Sequence, residues 1–353
     1  MLAVTSAGPA PAPSMRAMSM LRRIAPGLLL LVLAPLLAEF LLGDFSLRSL
    51  GLLVIFIPQY GGGALLVREL ARRTGRGWPT IVMLALAYGL IEEGFTTQSL
   101  FNPNYVGQRL LDYGYVPALG TSPAWAVFVL TLHVVWSICT PILIAEGVAG
   151  ARRTTPWLGR IGMVVVPALF VLGCVITTGG TISQNHFVSP APQLVAVAIL
   201  TVIAIVAAFA LFRPGAAPAV AGRAPSPWVV GAASLVLASA FEVVRHYGQD
   251  VLPAAATVLA MLALAAIGAA LLAWWSRRSG WSAAHYLATA AGTVLTYGWS
   301  GLTAFLAGRT NLGEHVGPLD VAGQVLLVLV FLALIAWGAV RGRQAGEAPA
   351  TIR

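Results

Sequence analysis

The sequence is poor in charged residues. Asp, Glu, Lys and Arg make up 9% of the 353 residues, and 58% are hydrophobic. Soluble globular proteins carry about 25% charged residues. The composition therefore excludes an ordinary soluble domain and predicts an integral membrane protein.

Lysine is absent, and cysteine occurs only at Cys139 and Cys174. Both cysteines lie inside apolar runs, which excludes a disulfide framework and a cysteine-rich metal site. The net charge of +9 could indicate a nucleic-acid partner, but the arginines lie in short loops between apolar runs rather than on one soluble face. We therefore expect the lipid bilayer as the partner, and no nucleic acid.

Long apolar runs dominate what is present. Ten of them are long enough to cross a hydrocarbon core of about 30 Å, which predicts an all-α, polytopic membrane bundle of about ten helices. The predicted spans are 23–43, 49–67, 79–100, 123–148, 160–179, 192–212, 227–244, 253–275, 283–307 and 320–340.

The flanking segments complete the predicted domain organisation. Residues 1–20, rich in Ala and Pro, are predicted to be a disordered tail, and residues 343–353 a cytoplasmic tail. Residues 21–342 form a single transmembrane bundle in this interpretation. The Pro- and Ala-rich stretch 213–226 is predicted to be a flexible linker on its inner side.

Arginines are distributed unequally between alternate connecting segments. Only Arg48, Arg109, Arg245 and Arg309 fall on one side, which leaves 17 of the 21 on the other. Cytoplasmic loops accumulate positive charge. The distribution therefore predicts a multi-pass protein of the cell membrane with both termini in the cytoplasm.

Two adjacent carboxylates, Glu92 and Glu93, lie inside the third apolar run. Helical spacing predicts Glu92 on one face with Tyr88, Thr96 and Ser99, and Glu93 with Gly89 and Thr97. A charged side chain in the hydrocarbon region costs about 2.5 to 3.5 kcal/mol on insertion scales. An acid pair retained there is predicted to be a functional site in the outer half of the membrane.

Three further polar groups accompany the acid pair. His133 lies in the fourth span at a similar depth, with Ser137 and Thr140 at helical spacings, and Asn185 and His186 follow the fifth span. A carboxyl pair with an imidazole in hydrogen-bond reach can act as a general base on water. Each group also has a structural interpretation: the glutamates could bond to neighbouring hydroxyls, His133 could bridge helices, and His186 could be a loop residue.

The second span contains Pro58 and three consecutive glycines, Gly61 to Gly63, which predicts a kink or break near mid-membrane. Close packing on small residues is the alternative. Transporters build substrate sites at broken helices. A proton-coupled carrier is therefore the second hypothesis. Its protonatable site is the acid pair, and its substrate path comprises Gln59, Tyr60, Thr96, Thr97 and Gln98.

The order of these residues resembles the CAAX-protease and bacteriocin-processing family of intramembrane proteases. That family has an acid pair late in a membrane helix, a His in the next helix and another His further on, followed by Asn. The resemblance covers residues 92–190, with Thr97 at the family's Arg position and Pro190 at its Asn position. It implies Glu92 or Glu93 as base, His133 as its partner, and His186, with nearby Asn185, as oxyanion donor.

Three function classes follow from the sequence. The first is a hydrolase of this intramembrane type, the second a proton-coupled carrier, and the third a non-catalytic membrane scaffold. A zinc site from His133, His186 and a glutamate is conceivable by ligand type, but the sequence contains no HExxH spacing to support it. We therefore predict no metal and no cofactor, and a membrane-borne or small-molecule substrate of unspecified identity.

Overall fold

A computed structural model describes residues 13–215 and 218–347. These residues are helical wherever they are regular, and their only β-structure is four isolated bridges. The continuous helices are α1 (13–41), α2 (Leu47–Arg73), α3 (78–96), α4 (Pro123–Arg152), α5 (Gly162–Asn185), α6 (Ala191–Ala210), α7 (Pro227–Val251), α8 (Ala254–Trp275), α9 (Ala283–Leu306) and α10 (Pro318–Glu347).

Helix is present at each of the ten predicted spans. Eight helices are long and apolar enough to cross a membrane by length and composition, and α3 and α9 are not among them. α3 includes Glu92 and Glu93, while α9 contains several Thr and Gly residues within one continuous helix. The all-helical, multi-pass class is therefore confirmed, and the number of spans above eight stays a prediction.

Helix starts follow local chemistry. Ser122 and Ser226 accept hydrogen bonds from the backbone N–H groups of Trp125 and Val229, and proline follows each serine at the first helical position. Proline there loses no helical hydrogen bond, and the serine satisfies a free donor. These signals fix the starts of α4 and α7.

The predicted tails and linker differ in part from the structure. α1 begins at Pro13, inside the stretch predicted to be disordered, and α10 extends to Glu347; residues 1–12 and 348–353 lie outside the described residues. The stretch 213–226 makes hydrogen bonds with 277–279: Val220 N–H donates to Arg277 O, and Ala224 N–H to Ser279 O. Residues 216 and 217 of the stretch also lie outside the described residues.

α4 lies at the centre of the bundle, and α5 to α8 lie at its periphery. In α4, 72% of the most apolar window is buried, compared with 11% in α5 and in α8. The peripheral helices expose many Val, Ile and Leu side chains. Soluble monomers rarely expose apolar patches this large, so this surface requires hydrocarbon around it.

One end of the bundle, which we call the arginine end, holds a buried ion network. Arg68 and Arg72 donate to Glu146 at 3.1 and 2.7 Å, and Arg68 also pairs with Glu69 at 2.6 Å. Glu69 accepts from the backbone N–H of Trp157, whose ring lies under the Arg68 guanidinium.

This network corrects the predicted end of the second span at residue 67. The helix continues to Arg73, because Glu69 and Glu146 neutralise the arginines that were assigned to a loop. The network ties α2, α4 and the following loop together at the end opposite segment 97–122. We call the end that carries segment 97–122 the loop end.

Candidate functional site

Four π-helical turns surround one polar centre. They are Leu36–Leu41 in α1, Ile57–Gly61 in α2, Glu92–Thr96 in α3 and His133–Cys139 in α4, and the described residues contain no other π turn. A π turn adds a residue to the helical repeat, redirects the side chains that follow and is frequent at functional sites. Each of these turns contributes a polar side chain to the same centre.

Glu93 and His133 form the central pair. Glu93 Oε1 lies 2.6 Å from His133 Nε2, and both side chains are buried. The second carboxylate oxygen, Oε2, accepts from the hydroxyl of Thr97 at 3.0 Å and from that of Ser99. The Trp125 indole N–H donates to the Ser99 oxygen at 3.0 Å. Glu93 is therefore fixed at both oxygens.

Glu92 has the opposite surroundings. It is 1% exposed, and neither of its carboxylate oxygens has a hydrogen-bond partner of standard geometry among the described residues. Its Oε2 lies 3.4 Å from His133 Nδ1, which also contacts Ser137 Oγ at 3.1 Å. The phenols of Tyr60 and Tyr88 are its other polar neighbours. Burying a carboxylate without hydrogen bonds costs folding free energy. A group that donates a hydrogen bond to Glu92 would therefore be stabilised at this position.

The predicted helical faces are corrected at Ser99. Ser99 contacts Glu93 rather than Glu92. The π turn Glu92–Thr96 and the left-handed backbone of Gln98, with φ of 57°, shift the residues that follow. Thr97 does lie beside Glu93 as predicted. In α4, Ser137 shares the His133 face, whereas Thr140 points to Thr293 on α9 at 2.9 Å.

Aromatic rings enclose His133. The Tyr60 ring stacks on the imidazole at a centroid distance of 6.2 Å, and the Tyr88 ring meets it edge-on at 5.9 Å. Gly63 makes room for Tyr88, since a Cβ at Gly63 would lie 2.3 Å from that ring. The site is therefore walled by apolar surface, which strengthens electrostatic interactions inside it.

The second helix is not broken at its glycines. α2 is continuous from Leu47 to Arg73 and passes through the π turn Ile57–Gly61. A Cβ at Gly61 would lie 2.2 Å from Leu31 O, and one at Gly173 would lie 2.6 Å from Gln59 N. The glycines thus allow α1, α2 and α5 to approach closely, which is the alternative that the sequence left open.

The residues of the predicted substrate path lie at different places. Tyr60 lines the site, while Gln59 is buried between α2 and α5 and accepts from the Thr177 hydroxyl at 2.5 Å. Its amide Nε2 has no partner among the described residues. Thr96 is buried, and Gln98 accepts from the backbone N–H of Ser189 at 2.6 Å, anchoring the start of α6.

Asn185 and His186 do not join the cluster. His186 lies exposed at the left-handed end of α5, with φ of 50°. Asn185 accepts from the backbone N–H of Val106 at 2.6 Å and donates to Thr181 O at 2.9 Å. In the structure Asn185 holds segment 97–122 in place, and neither residue contacts the glutamates.

The sequence analysis missed two acids and a tyrosine near the centre. Glu39, in the π turn of α1, is a polar neighbour of Tyr60 and lies within electrostatic range of Glu92. The available signal was its position: like Glu92, it is an acid within an apolar run. Tyr105 extends from segment 97–122 towards Glu93. Its phenol pKa is raised, mainly by burial and further by the surrounding carboxylates.

Asp44, in the connection between α1 and α2, extends the acidic region towards the loop end. Burial raises its pKa to about 7, a hydrogen bond from Asn311 opposes that rise, and Glu93 adds to it. The Asn311 amide donates to Asp44 Oδ1 at 3.0 Å. Acidic groups therefore continue from Glu92 through Glu39 to the end of the membrane region.

Glu92, Glu93 and His133 could hold a metal ion by donor type, because their ligand atoms lie within 4.8 Å of one another. Two ligands that bind one ion at 2.0 to 2.1 Å are separated by about 2.9 to 3.4 Å. The Glu93 to His133 distance of 2.6 Å is shorter. This pair is therefore spaced for a direct hydrogen bond, whereas the Glu92 Oε2 to His133 Nδ1 distance of 3.4 Å lies within the range for two ligands of one ion.

Comparisons with known proteins place the chain at the level of a family. Neither curated proteins nor solved structures give a match. A family model matches residues 28–348, which include the entire polar centre. The chain therefore belongs to this family, which is described as an uncharacterized membrane protein family.

Proposed function

We propose that the protein is an intramembrane hydrolase in which Glu92 activates water. The observation that carries this proposal is the Glu92 carboxylate, which makes no hydrogen bond of standard geometry among the described residues and lies 3.4 Å from an imidazole that Glu93 already fixes. A general base must have an oxygen free to accept the proton of water. Glu92 has two such oxygens in an enclosed site.

The roles of the three residues follow from their contacts. Glu93 accepts from His133 Nε2–H and so directs Nδ1 towards Glu92 and Ser137. Water donates a proton to Glu92 while its oxygen attacks a substrate carbonyl carbon. The carbon–nitrogen or carbon–oxygen bond then breaks, and the leaving group takes up the proton. His133, 3.4 Å from the Glu92 carboxylate, holds that carboxylate in place, while the negative charge develops on the substrate carbonyl oxygen.

Oxyanion stabilisation requires donors that are not already used. The resemblance to intramembrane proteases implies His186 and Asn185, but one is exposed and the other is bonded elsewhere. The buried Tyr88 hydroxyl and Gln59 Nε2 have no partner among the described residues. We assign the donor role to Tyr88, which adjoins Glu92; Gln59 lies between α2 and α5 instead.

A proton-coupled carrier is the second candidate function. One observation favours it: Asp44 and Glu39 extend the acidic region from Glu92 towards the loop end. A row of protonatable groups is what proton transfer through a membrane protein requires. In this case proteoliposomes with a trapped pH dye would acidify or alkalise faster than empty vesicles, and Glu92→Gln would abolish the difference.

Hydrolysis can be tested without knowing the substrate. Purified protein is incubated with membrane extract in water enriched in the heavy oxygen isotope, and products are sorted by mass spectrometry. Each hydrolysis event places one labelled oxygen in a product. We expect labelled products with the wild-type protein and none with Glu92→Gln or His133→Asn.

Glu314→Gln is the matched control, because it makes the same chemical change at an exposed position on the loop between α9 and α10. It should give the wild-type pattern. If Glu92→Gln and the wild-type protein give the same labelled products, the hydrolase proposal is wrong.

A further inference from the structure

An apolar groove lies between α3 and α5 and is directly behind the candidate site. Its volume is about 560 Å³, and its walls include Ile91, Phe95, Thr96, Cys174, Gly179 and Ile182. The wall on α3 is part of the π turn that carries Glu92 and Glu93 on its other side. The groove and the polar centre are therefore two faces of one turn.

Side chains connect the groove to the centre. The Cys174 thiol in the groove contacts the Thr96 hydroxyl and lies within electrostatic range of Glu92. Glu92, Glu93 and His133 are themselves at most 5% exposed. A group that occupies the groove would therefore press on the π turn without meeting the water that surrounds the protein.

The groove has the length of a single lipid chain. It runs along α5 from Phe170 to Ile182, a rise of roughly 18 Å at 1.5 Å per residue. One leaflet of a bilayer contributes about 15 Å of hydrocarbon. The end at Ile182 lies near Asn185 and segment 97–122, where a headgroup would reach water.

The volume of the groove, about 560 Å³, is in the range of small-ligand sites. A volume of this size suits a ligand of a few hundred Å³ that buries most of its surface. A single hydrocarbon chain has that form.

We propose that the groove binds one acyl chain of a phospholipid from the leaflet at the loop end.

Two neighbouring glycines provide a matched test. Gly179 lines the groove, whereas Gly180 does not, and a Cβ at either position meets nothing within 4 Å. Both are exposed positions of α5. Gly179→Phe should fill the groove, and Gly180→Phe should place the same ring in lipid outside it.

The probe is a phosphatidylcholine with a diazirine at the end of one acyl chain, in vesicles that contain the full chain. After illumination, adducts are mapped by mass spectrometry. We expect adducts concentrated on the groove segments of α3 and α5, a several-fold loss with Gly179→Phe and no change with Gly180→Phe. Adducts spread evenly over the exposed helices, or equal labelling of both variants, would overturn the chain site.

Glu92→Gln separates this inference from the proposed function, because that variant should keep the groove adducts. Groove adducts without labelled hydrolysis products would support the chain site and contradict the hydrolase. Hydrolysis products with evenly spread adducts would support the hydrolase and contradict the chain site.

Discussion

Glu92 and Glu93 are adjacent in the sequence, yet their carboxylates have opposite surroundings. Both oxygens of Glu93 accept hydrogen bonds, and neither oxygen of Glu92 does so within the described residues. The π turn that holds both residues separates them in this way. Glu93 is therefore fixed by its hydrogen bonds, whereas the oxygens of Glu92 can still accept a hydrogen bond of standard geometry.

This difference predicts opposite effects on stability. Glu93→Ala removes an acceptor from His133, Thr97 and Ser99, and hydrogen bonds to charged groups contribute about 1.5 to 3 kcal/mol each. Glu92→Gln removes a buried charge that makes no hydrogen bond of standard geometry and whose one charged contact is His133 at 3.4 Å, so the unfolding free energy should stay equal or rise. Unfolding in detergent micelles, followed by tryptophan fluorescence, measures both.

Glu314→Gln again serves as the control, with no expected change at its exposed position. Equal losses of stability for Glu92→Gln and Glu93→Ala would show that Glu92 has a partner that stabilises it, which would remove the main support for its role as base.

The sequence predicted the acid pair and His133 because each departs from an apolar run at a similar depth. It could not predict the π turns, since a hydrogen bond to the fifth residue rather than the fourth leaves no periodic signature over a single turn. Ser99 was therefore assigned to the wrong glutamate, and the left-handed Gln98 went unrecognised.

Spacing along the chain also could not tell which polar residues meet. Asn185 and His186 follow a span that ends near the centre, but the helix ends with His186 exposed and away from the glutamates. Glu39 was missed because a lone acid in the first span had no partner in the sequence. Only packing of α1 against α2 brings it to Tyr60.

The ion network at the arginine end yields a second stability prediction. Glu146→Gln leaves Arg68 and Arg72 without their shared carboxylate. Removing one partner of a buried ion pair costs about 3 to 5 kcal/mol. Asp112→Asn breaks the exposed pair with Arg109 and should cost at most about 1 kcal/mol. Similar midpoints for the two variants in chemical denaturation would contradict the prediction that the buried ion network stabilises the fold more than the exposed pair does.

Asp44 should make stability depend on pH. Burial raises its pKa from 3.8 to about 7, so the folded protein binds this proton more tightly than the unfolded chain. The contribution of Asp44 to folding stability is then fully present below pH 3.8 and is lost as the pH rises through about 7.

The measurement compares thermal midpoints of the wild-type protein and Asp44→Asn across this window. The difference between them should grow as the pH rises towards neutrality and beyond, in favour of the variant. Two parallel curves would mean that Asp44 does not titrate in this range.

Metal removal should leave the protein unchanged. Glu93 and His133 are joined by a direct hydrogen bond of 2.6 Å, so a metal ion would have to replace that hydrogen bond. We expect the same unfolding midpoint before and after treatment with a chelator. A midpoint that rises with added zinc in the wild-type protein, but not in His133→Asn, would instead establish a metal site, because a ligand bound only to the folded state stabilises it.

Gly61 tests whether the second span needs close packing or flexibility. A Cβ at Gly61 would lie 2.2 Å from Leu31 O, so Gly61→Ala must push α1 and α2 apart. Overpacking of this kind lowers the free energy of unfolding by about 1 to 3 kcal/mol. If Gly61 were instead a flexible hinge, alanine would stiffen the helix without this loss of stability. Gly51→Ala is the control, because nothing lies within 4 Å of its Cβ position. Since the shift also moves Tyr60 away from His133, Gly61→Ala should lower stability and, under the proposed hydrolase function, the yield of labelled products, whereas Gly51→Ala should lower neither.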